Sequence, residues 1–218
     1  MFIKVNEVTL FYQKYGSGNP LIMLHGNGET HEIFNSSISL LQEYFTVYAI
    51  DFRDHGNSSK VSKLHYEHHA KDIYEFIIQL NIKNPVYYGF SDGGIVGLMI
   101  ASKYPDLFSK LIISGPNINP KGLITYSRLL MKLEYAIKKS QKVRMMLEEP
   151  DISLSDLSKI IIPTYITGGS FDVITKKHLK LIQENIKNSV LKIFKRHTHS
   201  SYIVDSDIIG KYIIQVCK

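Results

Sequence analysis

Val86-Tyr87-Tyr88-Gly89-Phe90-Ser91-Asp92-Gly93-Gly94-Ile95-Val96-Gly97 is the stretch best suited to chemistry. An apolar run ends in Gly-x-Ser-x-Gly, and a glycine-rich apolar segment follows. The pattern predicts a buried strand that turns sharply into a helix, with Ser91 at the apex. Gly89 and Gly93 flank the serine where a Cβ would meet neighbouring backbone. The hydroxyl is then held outward, and the N–H groups of the following helix aim at a point suited to negative charge. A serine so placed can serve as a nucleophile once a base takes its proton.

Other reactive side chains are weighed against that point. His65, His68 and His69 have a spacing that puts imidazoles on one helix face, but no clear further ligand accompanies them. No metal and no cofactor are expected. Gly26-Asn27-Gly28 is not followed by Gly-Lys-Ser/Thr, so it is not a phosphate loop. The mixed charges of Asp51-Phe52-Arg53-Asp54-His55-Gly56 suit a tight, hydrogen-bonded turn.

The elements that must position Ser91 follow from apolar runs. Phe2–Val5 and Val8–Tyr15 read as a hairpin, with a turn at 16–20. Leu21–Leu24, Thr46–Ile50, Val86–Phe90, Lys110–Ser114, Ile161–Thr167 and Val190–Lys195 read as strands. Helices are expected at about 31–44, 66–80, 92–103, 176–186 and 202–216. Strands alternating with helices imply a mostly parallel, doubly wound central sheet with helices on both faces, an α/β fold. Residues 1–218 read as one domain, with a helical cap inserted at about 116–150.

The bulk composition narrows the class. The chain has 218 residues, 44% of them hydrophobic, and a net charge of +6. The basic residues are spread along its length and no nucleic-acid motif accompanies them, so no nucleic acid is expected. The N-terminus has no basic stretch followed by a long apolar run, and no run of about 18 apolar residues exists. Neither a signal peptide nor an integral membrane segment is expected. Cys217 is the only cysteine, which points to reducing cytoplasm.

With these pieces in order the chain resembles the α/β-hydrolases over nearly its whole length. The resemblance is carried by His25-Gly26-Asn27-Gly28, Asp51-x-Arg53-x-His55-Gly56-x-Ser58, Gly89-Phe90-Ser91-Asp92-Gly93-Gly94, Gly168-Gly169-Ser170-Phe171-Asp172 and His199-Ser200-Ser201-Tyr202. Each stands just after an expected strand, or where a strand meets a helix, and sites in an open parallel sheet form at those ends. The resemblance implies a triad of Ser91 as nucleophile, Asp172 as acid and His199 as base. Some members place the acid one strand earlier, but Ser114-Gly115-Pro116-Asn117 has no carboxylate there. His199 is favoured over His197 because small residues opening a helix follow it. The oxyanion donors implied are the backbone N–H groups of Asn27 and Asp92, with no part given to the Asp92 side chain.

The activity so implied is hydrolysis of a small-molecule carboxylic ester, with lactones or thioesters open. Hydrolysis of a carbon–carbon bond, perhydrolysis, or ligand binding without catalysis are the alternatives on the same fold. The insert has an apolar side suited to an acyl pocket and a basic side suited to a membrane surface or an anionic substrate. Its shortness suggests a shallow pocket for small or medium acyl groups. Nothing in the sequence sets the oligomeric state.

Overall fold

A computed structural model describes residues 1–218. Eight strands form one sheet: β1 (Phe2–Val5), β2 (Val8–Tyr15), β3 (Asn19–Leu24), β4 (Phe45–Ile50), β5 (Val86–Phe90), β6 (Lys110–Ser114), β7 (Thr164–Phe171) and β8 (Ser189–Thr198). Their order is β1-β2-β4-β3-β5-β6-β7-β8. The first hairpin and the β2/β4 pair are antiparallel; every other pairing is parallel. The strand order reverses between β3 and β5, where open α/β sheets place their ligands.

The helices are α1 (Asn35–Leu41), α2 (Tyr66–Gln79), α3 (Asp92–Lys103), α4 (Thr125–Lys138), α5 (Gln141–Glu148), α6 (Leu154–Leu157), α7 (Lys176–Glu184) and α8 (Ile208–Cys217). Side chains alternate across the central strands and so feed two cores. Leu21, Met23, Val86 and Tyr88 pack with Phe34 and with Ile38 of α1, and with Ile209 and Ile213 of α8. Ile22, Leu24 and Tyr87 pack on the other face with Ile73 and Phe76 of α2, Val96 of α3 and Leu179 of α7. The doubly wound sheet expected from the sequence is the one observed.

Several boundaries differ from expectation, β8 running to Thr198 and β3 starting at Asn19 among them. β7 begins at Thr164 and runs on through Phe171. Pro163 has no N–H to give a ladder, while β8 supplies partners as far as Thr198, across an irregularity between Gly169 and Phe171. Gly168 and Gly169 are therefore strand, and Asp172 follows the strand directly. The last helix begins at Ile208, not at Tyr202. Residues 201–205 form turns in which the Ser200 carbonyl accepts from Ile203 and Val204. Asp205, at φ 51°, ends them in the left-handed region. The stretch 31–44 divides into a 3-10 turn at His31–Phe34 and the short α1. Between β6 and β7 the chain holds α4, α5 and α6, a short 3-10 turn at Pro120–Gly122 and connecting loops.

The loop after β4 is tied down from inside. Asp51 accepts from the His31 amide and imidazole and from the Asn57 amide. Burial alone would raise its pKa; these donors outweigh burial and hold it down at about 2. Arg53 grips Asp72 of α2 through Nε and Nη2 at 2.6 and 2.7 Å, with both side chains buried. Removing one partner strands a buried charge. Asp72→Ala is therefore expected to lower unfolding free energy by about 3–5 kcal/mol, measured by urea denaturation. A loss under about 1 kcal/mol, the range of surface pairs, would show that solvent reaches Arg53.

Candidate active site

The strand-to-helix turn is built from backbone. Ser91 sits at φ 50° and ψ −110°, a sparsely populated region for a non-glycine residue. A Cβ on Gly89 would overlap the Gly93 carbonyl, and one on Gly93 would overlap the Leu24 carbonyl. The Ser91 amide donates to Ser114 O at 2.8 Å, tying the turn to the end of β6. Below the turn runs a row of buried hydroxyls. Tyr88 Oη donates to Ser114 Oγ at 3.0 Å, Ser114 Oγ meets Thr167 Oγ1 at 2.7 Å, and Thr167 Oγ1 meets Tyr202 Oη at 3.4 Å. The row links β5, β6 and β7 to the turn that follows His199.

The structure brings Ser91, His199 and Asp172 together. His199 Nε2 lies 3.1 Å from Ser91 Oγ, and His199 Nδ1–H donates to Asp172 Oδ1 at 2.6 Å. Asp172 Oδ1 also accepts from the Ile174 amide, and Oδ2 from the Gly169 amide, each at 2.9 Å. Burial works against its charge, yet the imidazole and the two amides outweigh burial and keep its pKa below the usual carboxylate range. Asp172 does not cap α7, because Thr175 does. The His199 ring rests on Phe90 at 4.8 Å between centroids. It also rests on Gly115 (φ 58°), where an added Cβ would stand 2.5 Å from Cε1. His197 is half-buried and bonded to Ser201 Oγ at 3.1 Å; it does not join the group.

Asn27 and Asp92 both border a cleft of about 320 Å³ that Ser91 and His199 also line. Neither amide donates to another group of the protein. Asp92 is the first residue of α3, so no intrahelical acceptor exists for it. The two N–H groups are thus available beside the hydroxyl. Leu123, Ser127, Met131 and Met146 of the 116–150 segment also line the cleft.

Several supports of this site were not legible in the sequence. The Asp92 carboxylate, given no part there, is buried and bridges two elements: Tyr66 Oη donates to Oδ1 at 2.7 Å, and Asn27 Nδ2 donates to Oδ2 at 2.9 Å. Burial raises its pKa to about 6 against those two bonds. Two imidazoles hold the 25–29 loop. The Phe52 amide donates to His25 Nε2 and the Gly28 amide to His55 Nε2, at 3.1 and 3.0 Å. The proton therefore sits on Nδ1 in each, donated to the carbonyls of Gly26 and Arg53. Both rings must be uncharged, and burial lowers their pKa to about 3 for His25 and about 4 for His55. His65 pairs with Glu149 and packs edge-on against His68 at 5.3 Å between ring centroids, while His69 is enclosed against Phe52; no group of three or more His, Cys, Asp and Glu side chains forms a metal cage.

A serine, a histidine and an aspartate hydrogen-bonded in series at the carboxyl ends of parallel strands mark the class of α/β protein to which the chain belongs. Residues 19–146 match the family described as alpha/beta hydrolase fold, and the chain belongs to that family. It is similar to the human serine hydrolase BPHL, 26% identical over 243 residues that take in 96% of this chain and 83% of that one. Pimeloyl-[acyl-carrier protein] methyl ester esterase of Vibrio campbellii is 34% identical over 109 residues, 49% of this chain and 40% of that protein. Among solved structures, an esterase from Exiguobacterium antarcticum superposes with a TM-score of 0.86 at 21% identity, covering 99% of this chain and 98% of the other.

The neutral histidines give the fold a pH signature. Each has a folded pKa below its unfolded value of about 6.5. The unfolded chain binds more protons as pH falls, so the stability these groups contribute above pH 6.5 is lost between about 6.5 and 4. The slope is at most about 1.4 kcal/mol per pH unit for each ring. Urea midpoints followed over that range are expected to fall, and His55→Gln is expected to flatten the fall. An unchanged slope in the variant would mean that His55 titrates alike in both states.

Proposed function

We propose that this chain is a serine hydrolase that cleaves carboxylic esters through an acyl-enzyme on Ser91. The observation that carries the reading is the unbroken hydrogen-bond line from Ser91 Oγ through His199 to Asp172, beside two undirected amides. Ser91 Oγ attacks the ester carbonyl as His199 Nε2 takes its proton, and Asp172 steadies the imidazolium. The carbonyl oxygen becomes an oxyanion between the Asn27 and Asp92 amides; one such donor is typically worth about 3–4 kcal/mol of barrier. Collapse expels the alcohol, which leaves with the proton from His199. Water then attacks the acyl group, again losing its proton to His199, and the acid departs as Ser91 regains its own.

The 116–150 segment acts in this reading as a cap on a single domain, and a cleft of about 320 Å³ suits small or medium acyl groups. The apolar side of its lining includes Phe90, Leu123, Met131, Met146, Val173 and Ile174, and the two methionines adapt to acyl shape. The names of the relatives, a serine hydrolase and a methyl ester esterase, agree with an ester substrate. The reading calls for no cofactor and no metal, because every proton has a named donor and acceptor. A cytoplasmic place fits the lone Cys217; no helix is long and apolar enough to cross a membrane.

A series of p-nitrophenyl esters of graded chain length tests this. Ser91→Ala and His199→Ala are each expected to lower kcat at least about 10⁴-fold and Ser91→Ala to abolish fluorophosphonate labelling, while His197→Ala stays within a few-fold of the parent. Equal turnover by parent and Ser91→Ala would end the proposal. Asp92→Ala keeps the amide but releases the Asn27 loop. Its kcat is expected to fall about 10- to 100-fold with little change in KM; a change confined to KM would assign the carboxylate to substrate binding instead.

A further inference from the structure

α4 is apolar on two sides. Its inner side sends Ser127 and Met131 into the cleft. On its outer side Tyr126, Leu129, Leu130, Leu133 and Ile137 are each between 47% and 81% exposed. At 3.6 residues per turn these five fall within one arc of about 100°. A stripe of that width is what an amphipathic helix ordinarily buries. Here no residue of α4 is buried at all. Scattered surface leucines need no explanation, but five large apolar side chains on one helical face mark a docking surface.

Charge selects what docks there. Residues 116–150 hold seven lysines and arginines against three glutamates, so this sixth of the chain carries +4 of the net +6. Lys132 lies beside one flank of the stripe on the helical wheel, and Lys139 follows the last turn of α4. On the other flank Glu134 is paired with Lys138 at 3.0 Å. A second copy of the chain would set a basic face against the same basic face. A layer of anionic lipid satisfies both halves of the surface. The apolar arc enters the boundary between headgroups and acyl chains, and the lysine stems lie along it with their ammonium groups among the phosphates.

We propose that the outer face of α4 docks on an anionic lipid surface, which lays the cleft about one helix diameter, roughly 10 Å, from the lipid. The docking surface shares no side chain with the Ser91 site. Binding and hydrolysis are therefore separable, and Ser91→Ala is expected to bind lipid as the parent does.

Co-sedimentation with vesicles of mixed phosphatidylcholine and phosphatidylglycerol, against pure phosphatidylcholine, tests the proposal. The parent is expected to pellet with the anionic vesicles only, and less so in high salt. Two variants separate the halves of the surface: Leu129→Gln with Leu133→Gln and Ile137→Gln, and Lys132→Glu with Lys139→Glu. Each is expected to lower the partition coefficient at least about tenfold. Thermal midpoints and turnover of a soluble p-nitrophenyl ester are expected to stay at the parent's values. Failure to bind anionic vesicles, or binding that both variants retain, would overturn the proposal. So would a parent that sediments as a dimer and becomes monomeric in the glutamine variant, since the face would then close on a second copy.

Discussion

The backbone of Ser91 is the constraint on which the site depends. A residue with a side chain holds φ 50° and ψ −110° only where its surroundings allow nothing else. Here the confinement comes from three directions. Gly89 lets the start of α3 press against the end of β5, Gly93 lets it press against the end of β3, and the Ser91 amide is committed to Ser114 of β6. The turn is thus a junction of three neighbouring parallel strands. Their register carries the geometry outward: Phe90 lies opposite Ser114 and Ser114 opposite Thr167. β7 then overruns by four residues to deliver Asp172, and the end of β8 delivers His199.

Two buried carboxylates near Ser91 show how competing terms set charge. Both lose water, and that loss raises the pKa of each. At Asp172 an imidazole N–H and two amides reverse the effect, leaving an anionic carboxylate against the His199 ring. At Asp92 a phenol and a side-chain amide reduce the effect without cancelling it, and the group stays at about 6. The first is held ready as an anion. The second acts as a cross-link between α2, α3 and the loop after β3. Around that loop the supports are neutral imidazoles that accept hydrogen bonds from backbone amides, which fixes the loop without adding charge beside Ser91.

The fold was largely legible because its central strands are unbroken apolar runs and its helices keep a clear 3.6-residue repeat. Ser91 was legible because glycines at fixed offsets have a steric reason to be there. Asp172 and His199 came from resemblance to the α/β-hydrolases, and the structure brings both to Ser91. The errors fall where tertiary pairing overrides local pattern. β7 passes through Gly168 and Gly169, which look like a turn, because β8 offers a ladder. Tyr202 looks like the start of a helix but is the buried end of the hydroxyl row. The roles of His25, His55, Tyr66 and the Asp92 carboxylate depend on contacts with distant or non-periodic parts of the chain, and no local spacing encodes them.

Gly115 gives the site a particular genetic vulnerability. Its left-handed backbone and missing side chain leave the bay that the His199 ring fills. A mutation there would act first on the imidazole, tilting it away from the hydroxyl while most of the sheet and both cores kept their packing. Variation at this codon would accordingly register first as a lost alignment of His199 with Ser91, a change that a survey of expression alone does not read.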